Sequence, residues 1–327
     1  MQAIADALGI SKVTVFKALR QQPGVSDEMR QQIFQAADAM GYHYTDIQRS
    51  YQIAFLVAQR FFLESDAFYT NIYYIMYQYC LDQNHQLPLF VISQEEEQAG
   101  ILPHQLTSGH FSGIVVAGEM NKEYLKKIQT LQLPTIYTDF YDAAFSSDCV
   151  LVDNYYMTYR VTDYLIGKGH RQIGFVGSPE SGYTSICDRY FGYCKALKIH
   201  HIPYRHEWVI SNSAPDLSHY FFDIPLPDPL PTAFVCHCDM AAYYLIEALN
   251  RKGLRCPEDV SIVSFDNTRL ATTMTPQLTT VDISTRDLAL KSIERLLYRI
   301  TAPDSPKERL YITTNLVKRD SVAPPSR

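Results

Sequence analysis

The chain has 327 residues, 46% of them hydrophobic, and a formal net charge of −6 at pH 7. This is enough apolar material for one or two packed cores with a small appendage, and the negative charge excludes a general affinity for nucleic acid, so any DNA contact must be local. No apolar run approaches the roughly 20 residues of a membrane helix, and the N-terminus lacks a secretory pattern. We therefore expect a cytoplasmic protein with no membrane partner.

The first 50 residues predict three short helices. The first stops at Gly9, the residue type that best tolerates a left-handed C-cap. Ser11 is placed to cap a second helix that closes at a turn over 21–24, and Ser26 to cap a third that ends at Gly41. The expected apolar faces consist of Ile4 and Leu8, of Val15, Ala18 and Leu19, and of Ile33, Phe34, Ala37 and Met40.

Two short helices joined by a tight turn predict a helix-turn-helix, whose second helix lies in the major groove of DNA. Residues 1–50 carry five basic and five acidic side chains, yet the stretch from Ser11 to Arg20 holds three cations and no acid. Charge alone does not distinguish this stretch from an ordinary solvated helix. The turn, the caps and the order of the helices favour DNA binding.

The stretches IADALGISKVTVFKAL and PGVSDEMRQQIFQAADAMGY resemble the N-terminal headpiece of the lactose-repressor (LacI/GalR) family of bacterial transcription regulators. Phe16 stands where that family usually has Ser, and Ala3 where it usually has an acid; either the operator is unusual or Phe16 packs inward. The resemblance implies base contacts from Lys12 and Val13, a basic groove contact from Lys17 and phosphate contacts from Ser11 and Thr14. Arg20, an outward cation of the same helix, is a further DNA-binding candidate.

The headpiece, residues 1–43, is followed by a shortened linker, residues 44–52. Only ten residues separate Tyr42 from Ile53, and they contain neither the Pro-Asn nor the A-x-x-L hinge helix of the family. Because an isolated helix of that length is marginal in water, we expect the hinge helix and its minor-groove insertion to be absent or vestigial.

From residue 53 onward apolar strands alternate with helices, which predicts an α/β core of parallel sheets covered by helices. Two successive series of these elements predict two lobes, and in such folds ligands bind at the carboxyl ends of the strands, here the cleft between lobes. The expected strands are 53–58, 87–93, 111–118, 133–139, 148–154, 171–177, 207–211, 231–239, 260–267 and 278–284, and the expected helices are 70–83, 121–131, 155–168, 188–197 and 240–252.

The family resemblance continues in VDN…LIGKGHRQIGFVG (152–177), DRYFGY (188–193), AFVCHCDMAAYYLIEAL (233–249) and LVKRDSVAPP (316–325). It implies a core over 53–327 like that of the periplasmic sugar-binding proteins, with two lobes joined by three crossovers, in a homodimer with paired headpieces. The first lobe is expected over about 53–152 and 283–308, and the second over about 153–282 and 309–323.

The resemblance also implies an effector site. Arg189 and Asp266 fall on family positions that bind ligand hydroxyls or amides, which suits a five-donor guanidinium and an acceptor-only carboxylate. The alternative is that these two residues only pair with each other, as buried charges usually do. The further effector-binding candidates are Phe68 or Tyr69 on the aromatic platform after the first strand, Asp139 after the fourth strand, Tyr183 and Ser185 before Arg189, and Cys238 where many members carry Asn.

The remaining sequence features do not require a cofactor or a metal. Seven cysteines, scattered singly or in one loose pair, favour reduced thiols over a disulfide framework. Cys236, His237 and Cys238 have no second ligand cluster at zinc spacing, so we expect buried thiols here.

These features predict a DNA-binding transcriptional regulator, a repressor, controlled by a small effector in the inter-lobe cleft. A sugar or sugar derivative is favoured as the effector, with a nucleobase as the other possibility. The alternative class is a small-molecule sensor whose headpiece does not bind an operator, as the missing hinge helix suggests. We do not expect an enzyme, because the cleft candidates suit binding and include neither a nucleophile nor an acid–base pair.

Overall fold

A computed structural model describes residues 1–19, 24–40, 50–62, 68–142, 144, 147–212 and 224–326. Arg20 and most of the linker, residues 44–49, lie outside these ranges, so the predictions made for them stay predictions. The chain divides into two compact units, Met1–Tyr51 with Cys80–Gln86 and Gln52–Tyr79 with Leu87–Arg327. No helix in the described ranges is both long enough and apolar enough to span a membrane.

In the first unit, the first helix ends at its predicted C-cap, and the second and third helices begin at their predicted N-caps; Gly41 and residues 21–23, where the other two helices were expected to end, lie outside the described residues. Gly9 has a φ of 65°, a left-handed conformation that glycine adopts without steric cost. The Ser11 hydroxyl accepts a hydrogen bond from the Thr14 N–H at 3.0 Å, and the Ser26 hydroxyl accepts one from the Met29 N–H at 3.3 Å. The helices are α1 (Gln2–Leu8), α2 (Lys12–Leu19) and α3 (Asp27–Ala39).

The apolar faces of these helices form one small core, in which Ile4, Val15 and Ile33 are fully buried. One expectation was wrong: Met40 is 47% exposed, because α3 ends before it. Of the two alternatives left open for Phe16, an unusual operator or inward packing, its exposure of 37% favours the first.

In the second unit, the ten predicted strands and five predicted helices are all present, although the helix expected at 188 begins at Thr184. The strands are β1 (Ile53–Ala58), β2 (Leu89–Ile92), β3 (Gly113–Ala117), β4 (Thr135–Thr138), β5 (Asp148–Val152), β6 (Ile173–Val176), β7 (Val209–Ile210), β8 (Ala233–Cys236), β9 (Ser261–Asp266), β10 (Thr279–Asp282), β11 (Arg309–Ile312) and β12 (Asn315–Val317). The helices are α4 (Gln59–Phe62), α5 (Phe68–Asp82), α6 (Gln94–Ala99), α7 (His104–Ser108), α8 (Lys122–Gln129), α9 (Asn154–Gly167), α10 (Thr184–Ile199), α11 (Asp239–Arg251), α12 (Arg269–Thr273) and α13 (Thr285–Thr301).

The described strands form two sheets. The first, in the order β11-β5-β4-β3-β1-β2, is parallel throughout, and β1, β3, β4 and β5 are buried at every residue, as parallel strands covered by helices should be. The second has the order β12-β10-β9-β8-β6-β7 and is parallel except for the antiparallel pair β10–β12.

The chain passes between these sheets three times: after β5, after β10 and between β11 and β12. The expected lobe boundary at residue 308 was wrong. Strand β11 hydrogen-bonds to β5, so residues 309–312 belong to the first sheet and the last crossing follows Ile312.

A buried ion-pair cluster fastens α13 to the first sheet. Asp148, at the start of β5, accepts hydrogen bonds from Arg295 Nε at 2.8 Å and Arg299 Nε at 2.7 Å. The Glu308 N–H also donates to this carboxylate, at 2.9 Å. All three side chains of the ion pairs are at least 90% buried, and their donors and acceptors are matched, which is the condition under which buried charges are tolerated.

Candidate DNA-reading helix and effector cleft

The outward face of α2 carries the residues predicted to contact DNA. Lys12 and Val13 are exposed, Val13 at 61%, whereas Thr14 and Lys17 are half-buried. The Ser11 hydroxyl, also exposed, lies 2.8 Å from that of Thr14. Within the described part of this face, two lysines and two small hydroxyls therefore surround an exposed apolar side chain.

Arg30 on α3 holds the C-terminal end of α2. Its Nη1 donates to the Ala18 carbonyl at 3.0 Å and its Nη2 to the Val25 carbonyl at 3.4 Å. A cation on the last carbonyls of a helix satisfies orphan acceptors and complements the helix dipole. Sequence reasoning missed this brace, because it counted Arg30 only as a charge.

Four of the predicted effector residues meet between the two lobes. Asp139 follows β4 in the first sheet and Asp266 ends β9 in the second. The Tyr69 hydroxyl donates to Asp139 Oδ2 at 2.9 Å, and Arg189 Nη2 lies 3.6 Å from Asp266 Oδ1. Residues far apart in sequence are thus brought to the carboxyl ends of parallel strands, where such folds bind ligands.

Both carboxylates sit on unusual backbone. Asp139 has a φ of 71° and Asp266 a φ of 100°, in the left-handed region that residues with a Cβ rarely adopt. Each such conformation costs about 1–3 kcal/mol and persists only where the surroundings impose it, typically at binding sites. Burial raises the pKa of Asp139 to about 6, against the lowering effects of Arg189 and of the Tyr69 hydrogen bond.

Asp239 imposes the conformation that follows Asp266. Its fully buried carboxylate accepts from the Thr268 N–H at 2.7 Å and from the Thr268 hydroxyl at 3.1 Å. The Ser264 and Thr280 hydroxyls donate to its other oxygen, at 2.5 and 2.8 Å. One side chain therefore joins β9, β10 and the loop between Asp266 and α12.

Arg189 is held by more than Asp266. Its Nε donates to Asn154 Oδ1 at 2.8 Å and its Nη1 donates to the His237 carbonyl. The guanidinium carbon lies 4.5 Å from the centre of the Phe265 ring. The contact with Asp266 expected by the ion-pair interpretation is present, within a wider set of contacts that fixes the orientation of the guanidinium.

The other predicted effector residues lie beside this cluster with different contacts. Phe68 packs edge-on against Tyr69, with ring centres 5.1 Å apart. Tyr183 packs against Phe61 of the first lobe, and half-buried Ser185 lies in the first turn of α10. Cys238 is buried and caps α11, its sulfur accepting from the Ala241 N–H at 3.4 Å.

Glu119 bridges the lobes and was missed from the sequence. It lies two residues beyond β3, and its Oε2 accepts from the N–H of Thr184 at 2.7 Å and from the Thr184 hydroxyl at 2.8 Å, at the first turn of α10. Burial raises its pKa to about 7. The rule that identified Asp139, an acid just beyond a parallel strand, would also have identified Glu119.

A third hydrogen bond between the lobes also ends on α10. The Tyr141 hydroxyl donates to Asp188 Oδ1 at 3.1 Å. Near Glu119, a cavity of about 470 Å³ is lined by residues 119–122 of the first lobe and 181–183 of the second. Helix α10 therefore carries these three inter-lobe hydrogen bonds and Arg189, so a change in lobe closure moves the guanidinium.

His237 and Asn212 extend the cluster into the second lobe. His237 follows β8 and is buried, and burial followed by the nearby Arg189 charge lowers its pKa to about 3, so the ring is neutral. Asn212 follows β7, is fully buried, and its Nδ2 lies 3.3 Å from His237 Nε2. Among the described residues, no group of three or more His, Cys, Asp or Glu could hold a metal ion.

Comparisons with known proteins agree with this geometry. The family of bacterial regulatory proteins, lacI family, matches residues 1–44, and the periplasmic binding protein-like domain matches residues 162–322. The chain is 26% identical over 304 residues to the HTH-type transcriptional repressor PurR of Actinobacillus pleuropneumoniae serotype 3 (strain JL03), covering 91% of this chain and 90% of that repressor.

Two solved structures share the fold over nearly the whole chain. The transcriptional regulator CelR–cellobiose complex has a TM-score of 0.72 at 21% identity, covering 97% of this chain and 98% of that one. The lac repressor dimer bound to operator and the anti-inducer ONPF has a TM-score of 0.71 at 21% identity, covering 98% of each chain. The headpiece, the two-lobed core and the repressors it resembles together place this chain in the lacI family of bacterial regulatory proteins, the DNA-binding transcriptional regulators.

Proposed function

We propose that this regulator is a homodimeric repressor that binds a roughly palindromic operator and responds to a small polyhydroxylated effector. The observation that carries the proposal is the presence, in one chain, of an exposed basic face on α2 and a cleft cluster drawn from both sheets. Tyr69, Asp139, Arg189 and Asp266 form that cluster. The DNA-reading face does not need the cleft cluster in order to fold, nor the reverse. Their presence in one chain therefore favours an effector-controlled regulator over a sensor whose headpiece does not bind DNA.

The exposed face of α2 has the chemistry for reading base edges. Lys12 suits the O6 and N7 acceptors of guanine, and Val13 suits a thymine methyl group. Phe16, exposed beside them, is positioned for a second apolar contact in place of a hydroxyl. We therefore propose an operator half-site in which a guanine is flanked by thymines, with Ser11 and Thr14 on phosphates.

A binding selection from random duplex DNA tests the operator. In fluorescence anisotropy at physiological salt, Lys12→Ala should weaken binding to the selected site roughly 10- to 100-fold and relax the preference at one base pair. Lys198→Ala, which removes an exposed lysine of the core, is the matched control and should leave affinity unchanged. Failure to select any sequence would support the sensor alternative.

The effector we propose is a sugar or sugar derivative. A fixed guanidinium beside acceptor-only carboxylates suits neighbouring hydroxyls, which donate and accept at once. The CelR structure, similar in fold, is a cellobiose complex, which supports the same class. Closure around the ligand would act through α10, and a coupling of about 1–3 kcal/mol suffices for useful regulation.

A thermal-shift screen of the full chain against sugars and nucleobases tests this class. The shift produced by a hit should disappear in Asp266→Ala and persist in Asp163→Ala, which changes a carboxylate 48% exposed on α9. A hit must also change operator affinity. Hits confined to nucleobases would contradict the sugar assignment while leaving the regulator intact.

A further inference from the structure

The charges of the effector cleft do not balance. Asp139 of the first lobe and Asp266 of the second both interact electrostatically with Tyr69 and Arg189, and Glu119 adds a third carboxylate where α10 begins. The cation within this group is Arg189, itself 7% exposed. With Asp139 and Asp266 ionised, the group already carries one negative charge more than Arg189 offsets, and Glu119, whose pKa burial raises to about 7, adds to this excess as it ionises.

Arg189 is not available to neutralise an incoming anion. Three of its nitrogens are engaged by Asn154, the His237 carbonyl and Asp266. One flat face lies on Phe265. Its two remaining N–H donors could still meet a phosphate or carboxylate, but its charge is already paired with Asp266. A second anion would then be buried beside a single cation, which is costly.

The nearby cations are likewise compensated. Arg60, at the first-lobe side of the cleft, pairs its charge with buried Glu97, donating to both carboxylate oxygens at 2.5 and 3.2 Å. Its side chain is 12% exposed, and its Nε is a buried donor without a partner among the described residues. His237 is neutral because burial lowers its pKa to about 3. Lys122 at the edge of the inter-lobe cavity is exposed, so its charge is screened by water.

The segments 63–67 and 213–223, which lie outside the described ranges, cannot supply the missing cation. Their sequences, LESDA and SAPDLSHYFFD, contain no lysine or arginine and include four acids. Whatever their placement, they add negative charge or none, apart from a single histidine.

Two buried acceptors in the cluster lack a partner among the described residues. They are Asp139 Oδ1 and Asn212 Oδ1, one from each lobe. A buried acceptor without a donor is costly and rare in native structures, so each marks a place for a ligand O–H or N–H. An anionic group, which has only acceptors, would oppose both.

We propose that the effector carries no anionic group: it is an uncharged polyol or an amino derivative that donates a hydrogen bond to Asp139, and phosphorylated or carboxylated sugars are not effectors. This inference rests on the proposed function, because it names the charge class of the ligand bound in that cleft. It separates this regulator from any that responds to a sugar phosphate or a sugar acid.

The test compares one scaffold in several charge states by isothermal titration with the full chain. Glucose, glucosamine, glucose 6-phosphate and glucuronate form one set, and ribose with ribose 5-phosphate another; any sugar found by the thermal-shift screen is added with its anionic analogues. Binding should be confined to neutral and amino members, with anionic analogues weaker by roughly 100-fold or more. An anionic member that binds as well as its parent would overturn the inference and leave the regulator intact.

Asp139→Asn provides the second readout. Removing this negative charge should narrow the difference in binding affinity between a neutral sugar and its anionic analogue at least tenfold. Asp163→Asn should leave that difference unchanged. If Asp139→Asn does not fold, Glu119→Gln tests the same direction. An unchanged difference in a folded variant would overturn the electrostatic explanation, and the absence of any sugar or nucleobase ligand would instead overturn the proposed function.

Discussion

Replacing Asp239 by Ala tests whether one buried carboxylate holds the second-lobe side of the cleft in place. The Thr268 N–H is backbone and cannot turn to another acceptor, so its loss costs about 2 kcal/mol. The three hydroxyl donors can rotate toward other acceptors, so losing their bonds to Asp239 costs less, together about 2 kcal/mol of stability. Removing the buried carboxylate also removes the cost of burying its charge, which restores about 1 kcal/mol. We expect the free energy of unfolding to fall by about 3 kcal/mol.

Urea unfolding of matched variants measures this. Asp239→Asn should cost less than the alanine variant, because an amide can accept from Thr268 and donate to the two hydroxyls on its other side. Asp153→Ala, which removes the single cap bond to the Tyr156 N–H at 3.1 Å, should cost about 1 kcal/mol. Equal decreases in the free energy of unfolding for Asp239→Ala and Asp153→Ala would refute the role given to Asp239. An unchanged effector affinity in a folded Asp239→Ala protein would refute it as well.

Three further outcomes are expected. Gly192→Ala should destabilise the core by about 2–3 kcal/mol in urea unfolding, because its Cβ would lie 2.2 Å from the Tyr155 carbonyl oxygen, whereas Gly167→Ala on open surface should be neutral or slightly stabilising. Burial raises the pKa of Glu119 to about 7, so the folded chain retains a proton that the unfolded chain releases above about pH 4.3. The free energy of unfolding should therefore fall as pH rises from about 4.3 to about 7. Glu119→Gln should flatten that part of a thermal-unfolding profile. Burial alone would raise the pKa of Asp148, but hydrogen bonds from the α13 arginines and a backbone N–H lower it. The stability that ionised Asp148 contributes should therefore be lost as pH falls below about 4. Asp148→Asn should remove that acid-side loss from the same thermal-unfolding profile.

The sequence predicted what depends on local pattern. Apolar runs located β1 to β10, and caps such as Ser11 and Ser26 located helix starts, because these signals lie within a few residues of the element. Strand β11 was assigned to the wrong lobe because edge pairing is decided by a partner about 160 residues away, and a four-residue strand carries no mark of which sheet it joins.

The candidate site divides in the same way. Asp139 and Asp266 follow strands, as expected for ligand-binding residues at the carboxyl ends of a parallel sheet. The hydrogen bonds that support this part of the cleft could not be predicted in that way. Asp239 and Asn154 lay inside quoted motifs without a role, since their partners, Thr268 and Arg189, become neighbours only in the folded chain. His237 drew attention as a metal ligand, whereas its carbonyl is what holds the arginine.

The short third crossing between the sheets limits how the effector cleft can open. Only two residues separate Ile312, the end of β11, from Asn315, the start of β12. Three Cα–Cα steps of 3.8 Å span at most about 11 Å, so the two strand ends stay tethered in every state of the core. The lobes therefore cannot part by sliding away from each other. They must swing about this pivot, and the gap widens in proportion to the distance from it.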